Sequence, residues 1–362
     1  MGRELLLYKR MIKQGNAVTL LTYGNEDDYR YAAQLDGIDV VPVYNYFKKN
    51  NNRWINLLKS FLIPFNSKLR KVFKNANIYK TNQMPGAWVA IVAKVIFKKP
   101  LVVRCGYEML RNTLRDEKRL FAWAIKAFLG YIFEYTAYTL ADTIIISNLS
   151  DKRFIKKLIP VKKDKIKLIR NFIDTNHFSV KNSNRIRINR RRILFIGRIE
   201  QRKNVKNLII GSCGAGCELD LVGAGSHQAY CEKMVRDNHC HVNFLGVVDN
   251  KLLPEIIAQY DIYIIPSYYE NNPKSLLEAM ACARIVLGSD VDGIKELIDD
   301  GVTGFLCDTD ADSIKNALNK VFGTNQEKLK SIAENARKFV LQECSIENVY
   351  RQEFEVYMRF FV

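Results

Sequence analysis

In the stretch YENNPKSLLEAMACARIVLGSDVDG (residues 269–293), Glu270 and Glu278 stand eight positions apart with Asn-Asn-Pro between them. Asn272 can cap a helix, and Pro273 suits its first position, where the missing N–H costs nothing. Glu270 then falls in a loop, whereas Glu278 lies one to two turns inside the helix among Leu276, Leu277, Ala279 and Met280, where a charge needs a partner. The backbone N–H groups at such a helix start make an anion site. Glu278, tilted toward that end, can accept hydrogen bonds from vicinal hydroxyls such as those of a ribose. A buried salt bridge to an Arg or Lys at the core edge explains it equally well.

Two further loops carry polar chemistry. FIGRIEQRKN places Arg198 at a strand end and Lys203 beside the next helix start. A cation there is unfavourable by about 0.3–1 kcal/mol unless an anion joins it, so the two read as a clamp for phosphate oxygens, with solvated surface charge as the plain alternative. After ELDLV come Gly223, Ala224 and Gly225, where missing β-carbons admit a ligand or simply make a tight turn. The cysteines of CGAGC (213–217), Cys231 and HCH (239–241) match no familiar zinc spacing; no metal site is expected.

These loops need strands and helices to hold them. Apolar runs at 17–24, 37–45, 76–83, 100–106 and 141–150 alternate with helical patterns at 4–13, 86–97 and 117–140, which predicts a mainly parallel sheet covered by helices. The polar stretch 171–192 reads as a linker. Alternation restarts with runs at 192–199, 218–225, 242–248, 261–267, 284–290 and 303–308, separated by helical patterns near 204–212, 227–237, 251–259 and from Pro273. Helices at 311–321, 325–342 and 346–360 close the chain. The expected fold is α/β with two doubly wound, Rossmann-like domains: residues 1–171, residues 172–345, and a last helix within 346–362 packing back on the first domain.

Composition bounds the partners. The 362 residues are 48% apolar and 26% charged, with a net charge of +18. Residues 1–192 hold 38 Lys and Arg against 14 Asp and Glu, a charge of +24, and the remainder carries −6. A basic half suits nucleic acid, an anionic membrane surface or an acidic small molecule. The most apolar stretch, residues 121–140, is interrupted by Lys126 and Glu134 and is not read as membrane-spanning. Eight cysteines without regular spacing, and no signal peptide pattern, fit reduced cytosolic thiols.

The stretches FIGRIEQRKNVKNLI, LVGAGS, VNFLGVV and YDIYIIPSYYENNPKSLLEAMACARIVLGSDVDGIKELIDDGVTGFL resemble, in order and spacing, the retaining, nucleotide-sugar-dependent glycosyltransferases of family 4, which have the GT-B fold. Weaker similarity extends to PLVVRCGYE, ADTIIISNLS and IRNFIDTNHF. The resemblance implies that Arg198 and Lys203 hold the donor diphosphate, that Glu278 binds the ribose, and that Glu270 lies near the transferred sugar. Around them, Gly197, Gly223, Gly225, Asn271, Asn272, Pro273 and Leu277 would line the donor, with backbone near Val247 meeting the base. Asn82, Gln83, Arg104, Cys105 and Gly106 would face the acceptor. It implies no cofactor and no metal, because cations and the helix N-terminus stabilise the departing diphosphate. The +24 first half and the aromatic, basic stretch 117–140 then point to a saccharide or lipid-linked saccharide acceptor in cell-surface polysaccharide or glycoconjugate synthesis, reached from the cytoplasm by an enzyme peripheral to an anionic membrane.

The chain departs from the family pattern at three places. Cys105 stands where many relatives have His, and Ala283-Arg284 replaces part of a Gly-x-Pro turn. Met1 to Lys13 reads as the helix that follows the family's first strand, so the first domain is expected to lack that central strand, with an upstream start roughly twenty residues away and a short form that is unstable and poorly active. Rival readings are a sugar-nucleotide epimerase or hydrolase on the same fold, and a basic single-stranded nucleic-acid-binding protein. The latter leaves Glu270, Glu278 and the acidic second half unexplained. A dinucleotide-dependent oxidoreductase lacks its strand-to-helix glycine motif.

Overall fold

The computed structural model describes residues 2–105, 109–115, 120–180 and 191–361. The chain divides into two compact units. One comprises Met1–Ser147, Asp151–Ile169 and Tyr350–Val362; the other comprises Asn148–Ser150 and Arg170–Val349.

In the first unit, β1 (Thr19–Thr22) and β2 (Asp39–Pro42) pair in parallel as a two-stranded sheet. A second parallel sheet runs β3 (Tyr79–Thr81), β4 (Leu101–Cys105), β5 (Thr143–Ile146), β6 (Ile166–Leu168). Both β4 and β5 are buried along their whole length, which is why LVV and TIII read as continuous apolar runs rather than alternating ones. Among the described residues no strand pairs with both sheets. Helices Arg53–Ser60, Ser67–Asn75 and Leu149–Leu158, together with β6, were not distinguished in the sequence.

The second unit holds six parallel strands: β7 (Arg192–Ile196), β8 (Glu218–Val222), β9 (Val242–Gly246), β10 (Ile262–Ile265), β11 (Ile285–Ser289) and β12 (Phe305–Cys307). Their spatial order is β12-β11-β10-β7-β8-β9. Alternate residues feed two cores. Leu194, Ile196, Tyr263, Ile265 and Val286 pack with helix Lys274–Ala281 on one face. Ile193, Phe195, Ile262, Ile264, Ile285 and Leu287 pack with helices Val205–Gly214 and Ala311–Gly323 on the other. Cys217 and Cys231 lie in this second core, and burial pushes both thiols up to about 11, the behaviour of small core residues.

Helix Lys274–Ala281 ends in a Schellman arrangement. Ala283 N donates to Met280 O at 3.0 Å and Arg284 N to Ala279 O at 3.1 Å, which requires a left-handed residue at the first position past the C-cap. Ala283 fills that place at φ 52°. Arg284, buried, donates to Cys282 O and Tyr260 O at 2.9 and 3.1 Å, so the chain keeps the turn without the glycine.

In the first unit Glu353 is fully buried, with Lys80 at 2.7 Å, the Arg104 guanidinium beside it and the Tyr357 hydroxyl donating at 2.6 Å. Burial alone would raise its pKa. Lys80 and Arg104 outweigh that and hold the carboxyl at about 2.

Candidate active site

Ligands in open parallel sheets bind beyond the carboxyl ends of the strands, where the strand order reverses. In the second unit that point lies between β7, from which the chain proceeds to β8 and β9 on one side, and β10, from which it proceeds to β11 and β12 on the other. The loops after β7 and β10 are those that carry Arg198, Lys203, Glu270 and the start of the helix bearing Glu278.

Backbone bonds knit these loops together. Gly197 N donates to Val222 O at 2.9 Å, Ile199 N to Ala224 O at 3.0 Å, and Gly223 N to Gly246 O at 2.7 Å. Gly223 has φ +133°, and a β-carbon there would lie 2.0 Å from Gly197 O; one at Gly225 would lie 2.3 Å from Ile199 O. Close packing of backbone on backbone is therefore what these glycines serve, which favours the tight-turn reading of the motif. Asn204, left-handed at φ 57°, donates from Nδ2 to Pro266 O at 3.0 Å and Thr309 O at 2.6 Å. It ties the loop after β7 to the loops after β10 and β12.

That tie sets Lys203 against Glu270. Their side chains form an ion pair, each only about a tenth exposed (12% and 9%). The Ser267 hydroxyl donates to the same carboxylate oxygen at 2.8 Å, and Ser289 Oγ holds Ser267 O at 2.6 Å. From the loop after β11, Gly293 at φ +83° presses on this segment: a β-carbon would come within 2.3 Å of Glu270 O and 2.4 Å of Asn271 O. Arg198 is exposed and pairs with Glu200 at 2.9 Å.

The helix start differs from the sequence expectation. Pro273 is itself the N-cap, and no side chain caps the helix. Asn272 Oδ1 instead accepts from Asn171 N at 3.2 Å, while Asn272 O accepts from Asn171 Nδ2 at 3.0 Å, so its amide is directed to another segment. Glu278 is 1% exposed. Tyr263, whose hydroxyl donates to Ser275 at 2.7 Å, is raised well above the usual phenol range, by burial first and then by the Glu270 and Glu278 carboxylates. Both glutamates thus act on one buried locality.

Of the remaining expected residues, Val247 is 80% exposed beyond β9, whereas Leu277 is wholly buried in the core and could meet a ligand only through its backbone. On the acceptor side, Asn82 accepts from the Tyr8 hydroxyl and Gln83 is exposed at the end of β3. Arg104 is buried and paired with Glu353, and Cys105 is buried. Gly106 lies outside the described residues. Sequence reasoning missed Asn171, Asn204, Ser267 and Gly293. Only Gly293 left a signal, a glycine just beyond a strand end. Among the described residues no cluster of three or more His, Cys, Asp or Glu side chains could hold a metal ion.

Two family descriptions match the chain: "Glycosyltransferase Family 4" over residues 5–177 and "Glycosyl transferases group 1" over residues 178–339. An uncharacterized glycosyltransferase of Methanocaldococcus jannaschii is 28% identical over 63% of this chain; the match spans 62% of that relative's length. The Campylobacter jejuni N,N'-diacetylbacillosaminyl-diphospho-undecaprenol alpha-1,3-N-acetylgalactosaminyltransferase is 26% identical over 91% of this chain and 88% of its own. Among solved structures, Anabaena HepE in complex with UDP and glucose superposes with a TM-score of 0.77 at 18% identity, covering 99% of this chain and 96% of that one.

Proposed function

The chain belongs to the family-4 glycosyltransferases of GT-B fold, and from that premise we propose that it transfers a glycosyl unit, with retained anomeric configuration, from a nucleotide-diphosphate sugar to a saccharide or lipid-linked acceptor. The observation that carries the proposal is the Lys203–Glu270 pair at the strand-order reversal. An ammonium has three N–H donors. Glu270 takes one and fixes the side chain; the other two are those a donor diphosphate would take. Arg198, exposed on the same loop, is the second cation assigned to that anion, and the N-terminus of helix Lys274–Ala281 adds its backbone N–H groups.

As the glycosidic bond breaks, negative charge grows on the departing diphosphate, and these preorganised positive groups stabilise it. The same charges do what a divalent cation would otherwise do, so the reading requires no metal. Glu270 also faces the sugar hydroxyls, and Glu278 accepts from the ribose. UDP-sugars are the first donors to try, since the structurally similar Anabaena protein holds UDP and glucose. The Campylobacter relative acts on a diphospho-undecaprenol-linked sugar, which supports an acceptor of that class, a role in cell-surface polysaccharide or glycoconjugate synthesis and a place at the cytoplasmic membrane face. Incubation with a panel of nucleotide sugars and lipid-linked saccharides, with products and their anomeric configuration read by NMR, tests all of this. Epimerised or merely hydrolysed donor with every acceptor would overturn it.

A further inference from the structure

Helix Leu120–Leu140 has its side-chain sizes inverted. Its inward face is made of Ala127, Gly130, Glu134, Ala137 and Tyr138, mostly small. Ile125, Phe128, Leu129, Ile132 and Tyr135, at the i, i+3, i+4, i+7 spacing of one helix face, point outward, Phe128 being 63% exposed. The acidic Glu134 is turned inward, accepting from Leu110 N at 2.9 Å. A second apolar row comes from helix Arg53–Ser60 and the turn after it: Ile55, Leu58, Phe61, Leu62 and Phe65 are all exposed, Leu58 to 68%. Phe61 stacks on Trp88 at 6.2 Å, and Trp88 lies 4.8 Å from Phe133 of the long helix, so the rows belong to one surface of the first unit. A contiguous apolar patch of this kind marks an interaction site.

Its surroundings choose the partner. Residues 40–107 contain thirteen Lys and Arg and no Asp or Glu. Directly after Phe65, helix Ser67–Asn75 exposes Lys68, Arg70, Lys71 and Lys74. Two copies of such a face would repel each other, and nucleic acid would leave the apolar rows unused; an anionic bilayer satisfies both the charge and the apolar area.

We propose that this face of the first unit docks on an anionic lipid bilayer, with the outward side chains of helix Leu120–Leu140 and of residues 55–65 entering the acyl boundary and helix Ser67–Asn75 meeting lipid phosphates. Among the described residues no helix is long and apolar enough to cross a membrane, so the helix lies along the interface. The inference deepens the lipid-linked-acceptor reading and rests on it for its purpose, but its geometry is independent of the donor site. The test is flotation of the full chain with phosphatidylcholine vesicles and with equimolar phosphatidylcholine–phosphatidylglycerol vesicles, alongside the double variants Phe128→Glu/Ile132→Glu and Leu58→Glu/Leu62→Glu. The expected result is partitioning about tenfold or more stronger onto the anionic vesicles, lost about tenfold in each variant, with thermal unfolding and nucleotide-sugar turnover unchanged. Equal partitioning on both vesicle types, or variants that float as the parent does, overturns the proposal. So does a parent dimer abolished by the same substitutions without vesicle binding. Vesicle binding without any glycosyl transfer would instead remove the functional reading and leave this one standing.

Discussion

Replacing Lys203 by alanine removes the cation that Glu270 holds at the strand ends. Breaking a buried ion pair from one side costs 3–5 kcal/mol when the remaining charge is sequestered. Here both side chains keep about a tenth of their exposure, and Ser267 still donates to the carboxylate at 2.8 Å, so the cost to the fold is about 1–3 kcal/mol, within a domain's usual 5–15. The variant should fold. Its loss is kinetic: one preorganised charge facing a developing oxyanion contributes about 2–4 kcal/mol, which is about a 30- to 1000-fold drop in kcat/KM for the donor. Glu270→Gln should behave differently, since it keeps the cation and loses the group that faces the sugar; UDP affinity is then largely preserved while turnover falls. In the double variant Lys203→Ala/Glu270→Gln no charge is stranded, so its stability should exceed the sum of the single effects by about 1–2 kcal/mol. Steady-state kinetics, calorimetric titration with UDP and chemical denaturation give the three readouts. A folded Lys203→Ala protein with kcat/KM within about threefold of the parent would refute the reasoning.

Glu278→Ala should fold and lose transfer, chiefly through a raised donor KM; unchanged kinetics with every nucleotide sugar would remove its ribose role. Ala283→Gly should stabilise the protein by about 0.5–1 kcal/mol, the left-handed strain relieved less the extra freedom of the unfolded chain, which a melting curve reads as a rise of about 1–4 °C for a unit of this size. Glu353, with its carboxyl lowered from 4.5 to about 2, contributes stability that is present above pH about 4.5 and lost as the pH falls toward 2, of order 3 kcal/mol. Glu353→Gln should therefore be less stable at pH 7 and show a flatter stability profile between pH 5 and pH 3, measured by denaturant titration. Donor turnover should survive EDTA, since the positive charge at the diphosphate is expected to come from side chains and backbone; metal-dependent turnover would contradict that.

The alternation of strand and helix was legible because a parallel strand buried on both faces is apolar nearly throughout, as in ILFI, IYII and IVL. The glycines and charged residues beyond those runs could be read as site material because strand ends in such sheets point at ligands. Local pattern could not say which side chains meet. Lys203 finds Glu270 only because β7 and β10 are neighbours in space, and strand order is a property of chain-wide packing. Asn272 was read as a cap because its type and place suit one, yet Asn171, 101 residues away, takes its side chain. Nothing near Arg104 in the sequence marks its ion-pair partner, since Glu353 lies 249 residues further on. In helix Leu120–Leu140, apolar composition is plain in the sequence but not which face the fold would leave outside, since a helix apolar on nearly every side has little period to orient it. Sequence determines what each segment can become and which residue types stand at its ends; only the tertiary structure, by closing long-range contacts, decides the partner of each charge and the side of each helix that water, or a membrane, will see.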